Sequence, residues 1–172
     1  CDASPQIGSG HLMRCLCLAH YLGAHTYDIS FIVNPGAEKM VAIPYKTAPD
    51  EPQSTDLLIV DHYGLDAAYE SRWRGHAKTI LVLDDIVQRP HDCDLLLDQT
   101  FGRTEKEYVK LVPPGTLLLT GSDYALLRPA FAAHREASLA RRSMLKRVET
   151  IYISFGSTNP GRIVQRVIES LN

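Results

Sequence analysis

The chain has 172 residues, 45% of them hydrophobic, with 18 Lys and Arg against 20 Asp and Glu for a formal charge of -2. That length accommodates an α/β domain that buries its own core without disulfide or metal, and the near-neutral charge supplies no basic field for nucleic acid or an acidic membrane surface, so the expected partner is a small molecule. No apolar run approaches the roughly 20 residues needed to span a bilayer, and the opening residues lack a basic-then-apolar leader pattern, so a soluble protein with no membrane partner is expected.

In chain order, Cys1-Asp2-Ala3-Ser4 reads as a loop leading into a helix, so the first strand of the fold is expected to lie outside this sequence. After the Gly8-Ser9-Gly10 turn, Leu12, Cys15, Leu16, Ala19 and Leu22 recur at helical spacing. Short, near-continuous apolar runs predict strands at 29–33, 57–60, 79–83, 95–97 and 151–155, each ending near an Asp or a turn, as a parallel sheet covered on both faces requires. The proline-containing stretch 48–55 reads as a loop, and the basic, polar stretch 135–147 as a linker. Ile163, Val164, Val167, Ile168 and Leu171 predict a helix after Asn159-Pro160. The alternation implies an α/β fold with a Rossmann-like, doubly wound parallel sheet over 1–147, followed at 148–172 by the first strand and helix of a second domain. Cys1, Cys15, Cys17 and Cys93 lack both zinc-site spacing and the density of a secreted scaffold, and fit free thiols in a reducing cytoplasm. Cys15 and Cys17, two apart on a helix, point about 200° apart and do not grip one ion.

Three segments suggest chemistry. Gly8-Ser9-Gly10-His11 brings backbone close to a ligand at a helix start, where free N–H groups suit a phosphate or sugar oxygen. A histidine there serves either as a general base in its neutral form or simply as a helix cap. Asp61, His62 and Tyr63 follow a strand, in the crevice where open α/β sheets bind ligands. Asp61 could orient an imidazole, hold a sugar hydroxyl or cap a turn, and Tyr63 could donate a hydrogen bond to substrate. Asp84-Asp85 ends another strand; neighbouring residues there face opposite ways, and no third ligand stands at fixed spacing, so no metal is expected. Arg89-Pro90-His91-Asp92-Cys93-Asp94 reads as a structural loop in which His91 imitates a metal ligand. Ser154-Phe155-Gly156-Ser157-Thr158-Asn159-Pro160 has the form of a diphosphate cradle, and equally of an ordinary strand-to-helix turn.

Together these blocks resemble one family, the UDP-2,4-diacetamido-2,4,6-trideoxy-β-L-altropyranose hydrolases of pseudaminic acid biosynthesis. The likeness runs through Ile7-Gly8-x-Gly10-His11-x-x-Arg14-Cys15, Ile59-Val60-Asp61-His62-Tyr63-Gly64-Leu65-Asp66, Leu83-Asp84-Asp85, Arg89-Pro90-His91-Asp92-Cys93-Asp94, Tyr124-Ala125-Leu126-Leu127-Arg128-Pro129 and Ser154-Phe155-Gly156-Ser157-x-Asn159-Pro160. It implies the N-terminal domain of a glycosyltransferase-B fold and the start of its C-terminal nucleotide-binding domain. The implied activity is a cytoplasmic, monomeric, inverting hydrolase of a UDP-sugar that uses neither cofactor nor metal. The resemblance assigns His11 to activation of water and makes Tyr63 an active-site residue. Ser4, Gly8, Gly10, Arg14, Asp61, His62, Asp85 and Tyr124 are expected around the substrate, and Gly156, Ser157 and Asn159 at the nucleotide. Two other readings share these residues: a transferase passing a UDP-linked amino sugar to an acceptor, and a non-catalytic domain that binds a sugar nucleotide or a partner protein. Lipid-directed transferases carry a longer glycine run followed by proline near the histidine, whereas Arg14-Cys15 follows here.

Overall fold

In the computed structural model, which describes residues 1, 3–4, 7–23, 25–154 and 163–171, the first regular element is helix α1 (Gly10–Gly23). It is entered through a tight reversal in which Ser4 and Gly8 exchange backbone hydrogen bonds and Gly8 takes φ +88°, a left-handed conformation that glycine adopts without a Cβ clash. Strands β1 (Ser30–Phe31) and β2 (Lys46–Thr47) then form a small parallel pair, with Ser30 opposite Lys46.

The main sheet follows: β3 (Thr55–Val60), helix α2 (Ala67–Ser71), β4 (Ala77–Leu83), β5 (Leu95–Asp98) and β6 (Leu117–Thr120). Its strands lie in the order β3-β4-β5-β6, all parallel, with Leu57 opposite Thr79, Val82 opposite Leu96 and Leu97 opposite Leu119. This is a Rossmann-like α/β arrangement. Helices α3 (Pro129–Met144) and α4 (Ile163–Ser170) complete the order. Among the described residues no helix is long and apolar enough to cross a membrane.

The two-residue alternation of strands sends the apolar side chains to two separate cores. Ile80, Val82 and Leu96 pack with Val60, Cys93, Trp73 and Tyr108 on one face of the sheet. Leu81, Leu83 and Leu97 point to the other face, where Leu18 of α1 meets them. A second side of α1, Leu12, Cys15 and Ala19, packs with Phe31 and Ala37. The helix is therefore held between the main sheet and the small one, which accounts for apolar residues on more than one of its faces. Because every strand of the main sheet runs the same way, Asp61, Asp84-Asp85, Asp98-Gln99 and the 121–124 turn all emerge at one rim.

The structure departs from the sequence expectations in four places. The apolar run at 29–33 contributes only the two residues of β1, because β2 offers a partner of that length. β2 and β6 are additional to the expected strands; β6 is a short run of three leucines and a threonine defined by its pairing with β5. The stretch 135–147, read as a linker, is mostly helix: α3 starts with Pro129 in its first turn, is rich in Ala and Arg, and ends with Arg141 and Arg142 where the dipole favours cations. Residues 151–154 form no strand and pair with none among the described residues, and the expected cradle residues Gly156, Ser157 and Asn159 fall outside the described residues. The predicted helix after Asn159-Pro160 is α4.

Leu96 lies on an inner strand and is completely buried. Leu96→Ala is expected to destabilise the fold by about 2–5 kcal/mol, read as a lowered urea midpoint with unchanged m-value.

Candidate functional site

Asp61 follows the last residue of β3 and has no exposed surface. A carboxylate so placed needs donors, and α1 supplies them. Arg14 donates from Nε to Asp61 Oδ2 at 2.8 Å and from Nη2 to Oδ1 at 2.6 Å, a two-pronged pairing that matches guanidinium to carboxylate. His11 Nδ1 lies 2.5 Å from the same Oδ1. Burial opposes the Asp61 charge, but the bonds from His11 and Arg14 outweigh it and hold the carboxyl below its usual value. Arg14 reaches on through Nη1 to Asp85 Oδ2 at 3.0 Å. Its burial opposes its charge as well, and the two carboxylates reverse the balance, raising its pKa. The Cys15 thiol, 3.7 Å from Asp61 Oδ2, is pushed up to about 12 by burial and by that carboxylate, so it stays a thiol and not a nucleophile.

The pairing sets the state of His11. An ionised carboxylate only accepts, so Nδ1 carries a hydrogen, and in the neutral imidazole the lone pair then falls on Nε2. The Arg14 Nη2 group, 3.1 Å from Nδ1, is then a second donor converging on Oδ1 and not a partner of the imidazole. Tyr63 stands edge-on to the His11 ring, with centroids 4.3 Å apart and an interplanar angle of 87°. Partial burial, the nearby Asp85 charge and a hydrogen bond to that carboxylate raise the Tyr63 hydroxyl pKa.

His11, Arg14, Tyr63 and Asp85 line one cavity of about 450 Å³ together with Gly10. That volume suits a small organic ligand. Gly10 has open space where a Cβ would stand. The other predicted residues are placed differently. Ser4 and Gly8 build the reversal before α1, with Ser4 Oγ accepting from Ile7 N, and neither lines the cavity. His62 lies outside the lining and turns Nδ1 to the Gly64 N–H at 2.8 Å, shaping its own loop. Tyr124 sits in a short 3-10 turn after β6, outside the lining. Asp84 faces the interior, away from Asp85: it accepts from Arg89 Nη2 at 2.7 Å and from Val87 N at 3.0 Å. Its oxygen also lies 2.9 Å from the Tyr108 hydroxyl, which is in turn 2.8 Å from Asp98. His91 is buried with Nδ1 2.8 Å from Glu70 Oε1, a structural position. Among the described residues no group of three or more His, Cys, Asp or Glu converges as a metal site.

Sequence reasoning missed two contributions. Gln99 and Arg128 line the cavity, although each was visible only as part of a longer block. Arg89, read as a loop residue, reaches the backbone that carries Tyr63: its Nη1 donates to the carbonyls of His62, Tyr63 and Leu65 while Nη2 is anchored on Asp84. The only signal for this was an arginine following a strand-end aspartate.

No family model matches the chain. It is 33% identical over 144 residues to the UDP-2,4-diacetamido-2,4,6-trideoxy-beta-L-altropyranose hydrolase of Campylobacter jejuni subsp. jejuni serotype O:2, an alignment covering 76% of this chain and 51% of the relative. The chain thus spans about half the length of the curated relative it matches.

A carboxyl held below its usual 3.8 favours the folded state at every pH above that value, and the contribution is lost as pH falls through the folded-state value. In acid titrations followed by circular dichroism, Asp61→Asn is therefore expected to be less stable than wild type at pH 7, with the gap narrowing below about pH 4. A gap that stays constant to pH 2 would show that the Asp61 charge adds nothing to stability.

Proposed function

We propose that this chain carries the base-bearing part of a UDP-sugar hydrolase, acting on a UDP-linked diacetamido-trideoxyhexose like the one in the name of the Campylobacter relative. The observation that carries the reading is the His11–Asp61 pair, 2.5 Å apart and buried, with His11 on the wall of the cavity. In the proposed reaction His11 Nε2 takes a proton from water as the water oxygen bonds to the anomeric carbon. The bond from that carbon to the diphosphate oxygen breaks, its electron pair leaves with UDP, and the configuration inverts. Asp61 holds the ring in the base-competent tautomer and stabilises the imidazolium that forms. Tyr63, its hydroxyl bonded to Asp85, packs its ring beside the base. UDP leaves readily once its charge is compensated, so positioning the water and the donor is the main task of the protein.

In the full-length protein, incubation with UDP-activated diacetamido sugars followed by NMR is expected to show UDP and free sugar appearing together. Sugar appearing only on an added acceptor would establish a transferase instead, and no turnover of any such donor would leave a binding domain. His11→Ala is expected to lower turnover by about 100-fold or more, and Asp61→Asn by a comparable factor through loss of the tautomer, with the fold retained as judged by circular dichroism. Unchanged turnover in His11→Ala would remove this residue from the mechanism.

The reaction is also proposed to run without a divalent ion. UDP release should persist in excess EDTA; its abolition by EDTA and restoration by magnesium or manganese would replace the base with a metal-bound water.

A further inference from the structure

The cavity is chemically lopsided. At the β3 side, the charge of Arg14 is already met by Asp61 and Asp85, so this guanidinium has little left for a ligand. Arg128 belongs to the segment after β6, the opposite edge of the sheet, and lines the same cavity. Among the described residues it forms no ion pair; its guanidinium lies over the Phe131 ring, 5.4 Å from the centroid, which leaves the edge donors of the planar fork available. It also occupies the N-cap position of the 16-residue helix α3, whose positive end adds to its charge. Gln99, on the wall of the same cavity, uses its Oε1 to accept from Leu126 N at 2.8 Å, so the NH₂ is the group it has left to donate.

We propose that Arg128 is the anion-pairing residue of this cavity, binding a phosphoryl oxygen of a diphosphate-linked ligand, with the Gln99 amide as a second donor. The assignment rests on the hydrolase reading for the identity of the ligand, and deepens it by dividing the cavity into two ends. The base, His11, is on the β3 side and the anion partner on the β6 side, with strands β4 and β5 between those edges. A sugar lying between them presents one face of its anomeric carbon to water and the other to the leaving diphosphate, the layout that inversion requires. A guanidinium suits this role because it can present two parallel N–H groups to phosphate oxygens.

The test uses the full-length protein and three variants, Arg128→Ala, Arg128→Lys and Gln99→Leu. With the UDP-sugar, Arg128→Ala should raise KM about tenfold or more and lower kcat far less than His11→Ala does. Inorganic pyrophosphate should inhibit wild type competitively, and Arg128→Ala should weaken that inhibition by a similar factor. Arg128→Lys should recover part of both losses, since a point charge replaces the fork, and Gln99→Leu should show a smaller rise in KM. Unchanged KM and unchanged pyrophosphate inhibition in Arg128→Ala would overturn the proposal while leaving the hydrolase intact, as would an Arg128→Lys variant no better than alanine. If wild type proves to release no UDP, pyrophosphate binding by calorimetry still decides: binding lost in Arg128→Ala upholds the anion site without the hydrolase, and binding unaffected by the variant removes it.

Discussion

The arrangement depends on one buried charge. Asp61 sits just past the end of β3 with no solvent contact, and an isolated carboxylate there would cost several kcal/mol. Its neutralisation requires α1 to lie across the rim in a single orientation, with Arg14 and His11 one helical turn apart on the side facing β3. The rest of the site follows from this. The imidazole is fixed in one tautomer, Tyr63 has a ring edge to pack against, and Asp85 receives the remaining arm of Arg14. The interaction that stabilises the junction of α1 with the sheet is thus the one that orients the His11 ring.

A second set of buried charges supports the loops at the same rim by the same physics. Asp84 and Asp98 end β4 and β5 and share the Tyr108 hydroxyl between them, while Arg89 and Arg103 supply the positive charge. Arg89 carries the effect outward, since it spans from the core aspartate to three consecutive-loop carbonyls around Tyr63. Arg103 does likewise toward the Asp85 backbone carbonyl, 3.0 Å away. Each strand-end aspartate therefore anchors an arginine that organises the next loop, and the cavity wall inherits its rigidity from the sheet.

Polar groups at the rim thereby divide into those consumed by structure and those left for a ligand. Asp61, Asp84 and Asp98 have their oxygens occupied by protein donors, and Arg14 is spent on two carboxylates. His11, Gln99 and Arg128 retain capacity on the cavity side. An imidazole at one end and a guanidinium and an amide at the other suit the proposed ligand, a sugar bearing a diphosphate.

Much of this was legible in the residues. The main-sheet strands at 57–60, 79–83 and 95–97, the helix through Leu12, Cys15 and Ala19, and the placing of Asp61 and Asp85 beyond strand ends follow from local periodicity, which is encoded within a few neighbouring residues. The opposed directions of Asp84 and Asp85 follow from the same alternation. Tertiary structure alone decided the partners: Arg14 meets Asp61 across 47 positions and Asp85 across 71, and no local pattern records which of several arginines will do so. It also turned His62 and Ser4 to their own loops, brought Arg128 to the cavity, made β6 a strand by pairing it with β5, and left 151–154 without one. A strand needs a neighbour and a buried charge needs a counter-charge, and both are properties of the folded chain, whereas alternation and helical spacing belong to the sequence by itself.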